Sequence, residues 1–202
     1  MRYSQYEEEA IIREFFGDHV GTFLDLGAAD GLKNSNTRAL ALRGWTGWCV
    51  EPNPYLFNEL FKLYRMHPAI RLVHAALSQS GDVLKFYNAE QLSTASEETV
   101  HLENMRPLFT GSYLIPSITP SKLAKLVNTQ FDFINLDCEA MDLEIAGSAK
   151  MLFEGARLLC YEHTLPGVPT DAIYTAKWQA MLDFHGFTKV IGRTEGNVLV
   201  AR

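Results

Sequence analysis

The chain has 202 residues, of which 47% are hydrophobic and 21% charged, and its formal net charge is −6. This length and apolar fraction suit a globular protein with one sizeable core. The negative charge offers no basic surface to nucleic-acid phosphates, so we do not expect nucleic-acid binding as the main activity.

The sequence contains no signal for secretion or membrane insertion. The acidic N-terminal stretch lacks the apolar core of a signal peptide, and no run approaches the length of a membrane span. Cys49, Cys138 and Cys160 are scattered along apolar runs that resemble buried strands, which favours reduced thiols and a cytoplasmic protein. No linker or repeat divides residues 1–202, so we expect a single domain.

Strands and helices alternate through the first 80 residues. Short apolar runs predict buried strands, and cap residues followed by periodic leucines predict helices. The predicted elements in chain order are a strand at 22–26, a helix at 34–42, a strand at 47–51, a helix at 54–65 and a strand at 70–77. This alternation is typical of an α/β fold built on a parallel sheet.

The second half of the chain continues this pattern and ends in a hairpin. The predicted elements are strands at 83–87, 113–118, 131–136 and 156–161, helices at 120–127 and 141–153, and a helix that starts at 170 or 171 and ends near 186. Two strand-like runs then flank the turn TEGN at 194–197. We therefore expect a mostly parallel sheet closed by a C-terminal antiparallel hairpin.

Segment 88–111 interrupts the pattern. It is polar, lacks clear periodicity and is long for a structureless connection. We interpret it as a lid over a substrate site. The alternatives are an extra helix pair or a contact between two copies of the chain in a homodimer.

The stretch TFLDLGAADG places a glycine turn directly after the first strand, where open parallel sheets bind their ligands. The spacing of Gly27 and Gly31 does not match a phosphate-binding loop, and two of the three glycines of a dinucleotide fingerprint are missing. Asp25 and Asp30 would also repel a pyrophosphate. The turn therefore favours a ligand without phosphate.

S-adenosylmethionine meets these conditions because it carries a sulfonium, an ammonium and a ribose diol but no phosphate. Gly27 allows backbone amides to approach the ligand closely, and Asp25 and Asp30 supply negative charge near the ammonium. Glu51 ends the second strand and can accept hydrogen bonds from both ribose hydroxyls. An NAD(P)-dependent reductase on a similar sheet and a catalytically inactive nucleoside-binding homologue are the alternatives.

A longer series of motifs resembles a known family. YSQYEEEAI, LDLGAADG, SNT, GWCVEPNP, AALS followed by GDVLKFYN, and FDFINLDCEAMDLEI occur in this order between Tyr3 and Glu162. Together they are similar to the FkbM family of class I methyltransferases. One departure is that alanine, Ala140, stands where the family's DxEGxE motif has glycine.

The resemblance implies a Rossmann-like class I methyltransferase fold, S-adenosylmethionine as the cofactor, and methylation of a hydroxyl on a small molecule or glycan. We expect Gln5 to reach the cofactor site because the resemblance begins there. The predicted cofactor-binding residues are Asp25, Gly27, Ala28, Ala29, Asp30, Gly31, Asn36, Glu51, Asn53 and Ala76.

Three residues near strand ends are the predicted catalytic group, because an alcohol needs a base or a metal to become a nucleophile. Asp137 follows a core strand, Glu139 lies two residues later, and His163 follows the next strand. Asp137 has the alternative of capping the helix that follows. The three could also hold a divalent ion such as Mg²⁺, but no ligand spacing imposes one, and we expect no metal.

Overall fold

A computed structural model describes residues 2–102, 104–163 and 172–202. Its strands are β1 (Thr22–Leu26), β2 (Thr46–Val50), β3 (Ile70–Val73), β4 (Ala76–Leu77), β5 (Val83–Asn88), β6 (Gly111–Ile118), β7 (Phe133–Leu136), β8 (Leu158–Glu162), β9 (Lys189–Arg193) and β10 (Asn197–Ala201). Its α-helices are α1 (Glu8–Phe16), α2 (Arg38–Leu42), α3 (Pro54–Tyr64), α4 (Glu97–His101), α5 (Pro120–Val127), α6 (Asp142–Ser148), α7 (Lys150–Phe153) and α8 (Ala172–His185).

The main sheet has seven strands in the order β3-β2-β1-β7-β8-β10-β9. The first five of these run parallel, and β10 is antiparallel to both of its neighbours, which confirms the predicted architecture. In the register of the parallel strands, Leu26 lies opposite Val50 and Leu136, and Leu136 lies opposite Tyr161. The residues that follow these four therefore meet at one edge of the sheet.

The core has one apolar layer on each face of this sheet. Neighbouring residues of β1 belong to different layers: Phe23 packs in the cluster with α1, α2 and α3, and Leu24 packs in the cluster with α5 to α8. Burial on both faces explains why the parallel strands are continuous apolar runs in the sequence. No helix in the described ranges has both the length and the apolar character needed to cross a bilayer.

The prediction of a single strand at 70–77 is wrong. His74 and Ala75 separate β3, which pairs with β2 in the main sheet, from β4, which pairs with β6. A second, three-stranded sheet with the order β4-β6-β5 results. The chain thus leaves the main sheet after β3, which places segment 88–111 beside the carboxyl ends of the parallel strands.

The helices differ from the predictions in three respects. Helix α1 was not predicted; it buries Ile12, Phe16 and the side chain of Glu8. Helix α2 begins four residues later than expected, because Thr37 and Ser35 use their hydroxyls to organise a loop before it. The helix predicted at 141–153 is divided at Ala149 into α6 and α7.

The cysteines are free thiols, as expected, and two of the three lie in strands as predicted. Cys49 and Cys160 are buried in β2 and β8. Cys138 is not in a strand: it lies in the loop after β7 and is half-buried, because β7 ends at Leu136.

Candidate functional site

A cleft of about 380 Å³ opens at the carboxyl edge of β2, β1, β7 and β8. Its walls are the turn after β1, the loop after β7, the turn between β9 and β10, and part of segment 88–111. Gln5, from the stretch before α1, also lines it. The volume lies in the range of small-molecule and cofactor sites.

The turn after β1 is held by the neighbouring strand and admits only glycine at its first position. The backbone N–H groups of Gly27 and Ala28 donate to the carbonyl of Val50 at 3.0 and 3.1 Å. Gly27 has φ of +86°, and a Cβ atom there would overlap the main-chain oxygen of Asp137. The turn and the end of β7 are therefore in main-chain contact, which only a residue without a side chain permits.

Asp25 is a buried carboxylate beneath this turn. It accepts hydrogen bonds from the Thr37 hydroxyl at 2.6 Å and from the Asn135 amide at 2.9 Å. The Asn135 oxygen in turn accepts from the amide of Asn36 at 2.9 Å. Burial raises the pKa of Asp25 despite these two donors, because neutral donors offset only part of the lost hydration. A cation in the cleft would stabilise its ionised form.

Glu51 links two turns at the other side of the cleft. Its side chain is 4% exposed and accepts hydrogen bonds from the backbone N–H groups of Ala29 at 2.8 Å and Asn53 at 2.6 Å. Burial raises its pKa to about 7 against these bonds. A carboxylate has about four acceptor positions, so capacity remains for a ligand's hydroxyl groups.

Asp137, Glu139 and Glu162 form an acidic cluster between the ends of β7 and β8. Burial, followed by repulsion from neighbouring carboxylates, raises the pKa of each. Asp137 Oδ1 and Glu162 Oε2 are buried and have no hydrogen-bond partner among the described residues. Such orphaned acceptors in a cleft point to a ligand that brings donors or positive charge.

The lining as a whole is rich in acidic residues. Among the residues that the structure describes, one basic side chain, Lys33, lines the cleft. The acidic lining residues are Asp25, Glu51, Glu90, Asp137, Glu139, Glu162 and Glu195. Within the same ranges, no group of three or more His, Cys, Asp or Glu side chains is arranged to hold a metal ion.

Most of the predicted site residues line the cleft. From the cofactor and catalytic predictions these are Asp25, Gly27, Ala28, Ala29, Asn36, Glu51, Ala76, Asp137 and Glu139. Asp137 does not cap the following helix. The buried carboxylate of Asp142, in the first turn of α6, instead accepts from the backbone N–H of Cys138 at 2.7 Å and holds the loop.

Asp30, Gly31 and Asn53, which were predicted to contact the cofactor, are not among the residues that line the cleft. Asp30 Oδ1 accepts from the backbone N–H groups of Leu32 and Lys33, a local bond typical of aspartate in turns. Gly31 packs against α3, where a Cβ would meet a methyl of Leu60 at 2.5 Å.

Asn53 has a structural position instead. Its side-chain oxygen caps α3, and its amide donates to the Ser93 hydroxyl at 3.1 Å. The second of these bonds ties segment 88–111 to the start of α3.

His163 also lies outside the cleft lining. Its backbone N–H donates to the carbonyl of Gly196, and its ring lies near the rings of Tyr161 and Tyr174. Burial, with a smaller contribution from the positive charge of Arg193, lowers its pKa. The structure therefore does not bring His163 together with Asp137 and Glu139. Residues 164–171, which include the predicted start of α8, lie outside the described residues.

Several lining residues were missed by the sequence analysis. Glu162 is the last residue of β8, and Asn197, which faces it across the antiparallel pair, is the first of β10. Asn135 lies in the middle of the apolar strand FINL, and this polar interruption was the available signal. Glu162 had a weaker signal, as an acid at a predicted strand end.

The first part of segment 88–111 lines the cleft. A 3₁₀-helix at Glu90–Leu92 and the residues just after it supply part of the lining. The Gln91 side chain accepts from Asn34 at 3.2 Å, and the Thr94 hydroxyl donates to the carbonyl of Glu139 at 2.5 Å. The segment is thus attached to both the loop after β1 and the loop after β7.

Comparison with known proteins gives matches by structure rather than by sequence. No protein-family model and no curated protein sequence matches the chain. The methyltransferase FkbM from Methylobacillus flagellatus KT aligns with a TM-score of 0.55 and 12% identity, over 90% of this chain and 43% of its own. Monomeric WbdD aligns with 0.51 and 13%, over 96% and 39%. Fibrillarin from Aeropyrum pernix, in complex with natively bound S-adenosyl-L-methionine, aligns with 0.50 and 13%, over 89% and 66%.

The chain has the fold of the class I methyltransferases. The matching structures include an FkbM methyltransferase, in agreement with the resemblance of the sequence motifs. At 12% to 13% identity, these three likenesses establish the fold alone. The chain spans well under half the length of FkbM and of WbdD.

Proposed function

We propose that this protein is an S-adenosylmethionine-dependent methyltransferase that methylates a hydroxyl oxygen on a small molecule or glycan. One observation carries the proposal: a glycine turn at the carboxyl edge of the sheet opens onto a cleft with seven acidic lining residues and one basic residue among those described. Such a cleft favours a cationic nucleoside without phosphate.

The residues present fit this cofactor. Glu51 retains acceptor capacity for the ribose hydroxyls, and Gly27, Ala28 and Ala29 line the neighbouring space that the methionine part would occupy. The orphaned Oδ1 of Asp137 can accept from the ammonium or from the acceptor hydroxyl. When bound, S-adenosylmethionine supplies a methyl group on a sulfonium.

The protein's own contribution to catalysis is alignment and proton removal. Asp137 is the proposed base: its carboxylate would take the proton of the acceptor hydroxyl as that oxygen bonds to the methyl carbon and the methyl–sulfur bond breaks, which would leave S-adenosylhomocysteine. Its raised pKa brings it closer to that of an alcohol than an ordinary carboxylate is. Glu139, two residues later in the same loop, orients the acceptor.

The alternative of a nicotinamide-dependent reductase is disfavoured by the same charges. A pyrophosphate would lie near Asp25, Glu51 and Asp137, and like charges in a buried site are costly. The dinucleotide fold also relies on three glycines in the first turn, of which the second is Ala29 here.

Titration calorimetry tests the proposal directly. We expect S-adenosylmethionine and S-adenosylhomocysteine to bind, and NAD and NADP not to bind. The reverse pattern would overturn the proposal. A protein that binds S-adenosylmethionine but forms no S-adenosylhomocysteine with any hydroxyl acceptor would instead be an inactive homologue.

A further inference from the structure

The acidic cluster extends beyond the part of the cleft that the proposed cofactor needs. Strand β8 lies two places from β1 and three from β2 in the sheet. At about 4.8 Å between strands, the end of β8 is therefore ~10 Å from the glycine turn and ~14 Å from the end of β2. Glu162 thus lies on the acceptor side of the site, opposite Asn197.

No basic side chain is placed to neutralise this side of the cleft within the described residues. Lys33 belongs to the loop after β1, on the cofactor side. Arg193 on β9 does not line the cleft, and its positive charge contributes to the lowered pKa of His163. Glu162 Oε2 remains buried without a partner among those residues, and burial next to Asp137 and Glu139 raises the pKa of Glu162.

A neutral polyol would bring no positive charge to this side of the cleft. Hydroxyl groups can donate to Glu162 and Glu139, but they bring no positive charge that would favour the ionised forms of these two neighbouring carboxyl groups. S-adenosylmethionine carries a net charge of about +1, which Asp25 and Asp137 already oppose on its own side of the cleft. A second cation is missing.

Resting on the proposed function, we propose that the acceptor carries a protonated amine that Glu162 and Glu139 bind while its hydroxyl group faces Asp137. The acceptor class is therefore an amino alcohol or amino sugar. Burial raises the pKa of both carboxyl groups, and the ammonium favours their ionised forms, so we expect binding to release protons to the solvent.

Calorimetry on the protein saturated with S-adenosylhomocysteine tests this class of acceptor. The probes are glucosamine, galactosamine and 2-deoxystreptamine, each paired with its N-acetylated form, which keeps the hydroxyls and loses the charge. We expect at least one amine to bind about tenfold more tightly than its acetylated partner. Measurements in two buffers of different ionisation enthalpy should show proton release with that amine.

Two variants separate the role of Glu162 from a general effect of charge. Glu162→Gln should reduce the preference for the amine and the proton release. Glu154→Gln changes an exposed residue and should preserve both. Equal or weaker binding of every amine, or a preference that persists in Glu162→Gln, would overturn the inference.

The binding measurements distinguish a wrong acceptor class from a wrong proposed function. If S-adenosylhomocysteine binds but no amine probe does, the amine acceptor is rejected and the methyltransferase proposal stands. If S-adenosylhomocysteine and S-adenosylmethionine themselves do not bind, the proposed function fails first.

Discussion

The main-chain oxygen of Asp137 occupies the space in which a side chain on Gly27 would lie. The contact joins the turn after β1 to the end of β7, whose backbone is also joined there by a 2.9 Å hydrogen bond from Asp137 N–H to Leu26 O. The two neighbouring strands thus bring the glycine turn and the proposed base to the same point. This close approach explains why residue 27 is a glycine, beyond its positive φ.

Replacing Gly27 tests that contact. Gly27→Ala should cost several kcal/mol of unfolding free energy, because left-handed strain of about 1–2 kcal/mol is added to a backbone clash. Gly44→Ala is the matched control: it has a similar φ of +88° but open space around the Cβ position. Urea unfolding of both variants measures the difference, and equal losses would contradict the steric account.

Ala140 is held in a left-handed conformation, with φ of +75°, at the position where the resembled motif has glycine. Ala140→Gly should therefore stabilise the protein by about 1 kcal/mol, since the relieved strain exceeds the entropy cost of glycine. Ala124→Gly, in the middle of α5, should instead lower the free energy of unfolding by a similar amount. Urea unfolding measures both; a loss of stability in Ala140→Gly would refute the strain.

Glu51 should make stability of the ligand-free protein depend on pH. Its pKa rises from 4.5 to about 7 on folding, so between these values the folded state retains a proton that the unfolded state releases. Stability contributed by the bound proton is lost as pH rises through this window, by about 3 kcal/mol in total. Glu51→Gln removes this dependence. The stability difference between wild type and variant should therefore change with pH, and a constant difference would disprove the shift.

Asp137→Asn should separate catalysis from binding. The amide keeps the shape of the side chain and removes a charge from the acidic cluster, so the ligand-free variant should melt higher than wild type at pH 8.5. It should still bind S-adenosylhomocysteine and lose most of its turnover, typically by 10²-fold or more for a general base. Thermal melts and product formation measure the two effects, and full activity would remove Asp137 from its proposed role.

Glu8 anchors the N-terminal wall of the cleft. Its fully buried carboxylate accepts from the Thr194 hydroxyl at 2.6 Å, from the Asn197 amide at 2.9 Å and from the backbone N–H of Tyr6 at 2.9 Å. In Glu8→Gln, the new amide NH2 group faces one of these three donors. The substitution should therefore lower the free energy of unfolding by about 2 kcal/mol.

Hydrogen exchange measures the consequence for the wall. Residues 2–7 should exchange faster in Glu8→Gln, and affinity for S-adenosylhomocysteine should fall because Tyr6 and Asn197 line the cleft. Glu14→Gln alters an exposed residue of the same helix and should change neither property. Unchanged exchange in Glu8→Gln would show that the wall does not depend on this anchor.

Residue patterns were sufficient to predict those site residues that directly follow a strand in the sequence. The turn at Gly27 and the acid at Glu51 follow apolar strands directly, so their positions at the sheet edge could be predicted from strand order. Asp30 shows the limit of this reasoning: a turn aspartate can bond to its own backbone as readily as to a ligand, and here it does so.

The choice between Glu162 and His163 illustrates the same limit at β8. Both residues lie at the end of a predicted strand, and adjacent side chains leave a strand on opposite faces. The structure directs Glu162 to the cleft and packs His163 beside two tyrosines. A one-residue difference in where the strand begins exchanges these positions, and sequence boundaries are uncertain by more than that.

The sequence by itself determined the α/β architecture, the parallel sheet with its antiparallel end, and a glycine turn after the first strand, because each rests on apolar periodicity and turn chemistry within a few residues. Only the tertiary structure decided that Asp137, Glu139 and Glu162 share one cleft, that Glu8 joins the N-terminus to the last hairpin, and that residues 90–93 and 95 line the same cleft. These contacts join residues far apart in the chain, and their geometry depends on strand order and register rather than on any local pattern.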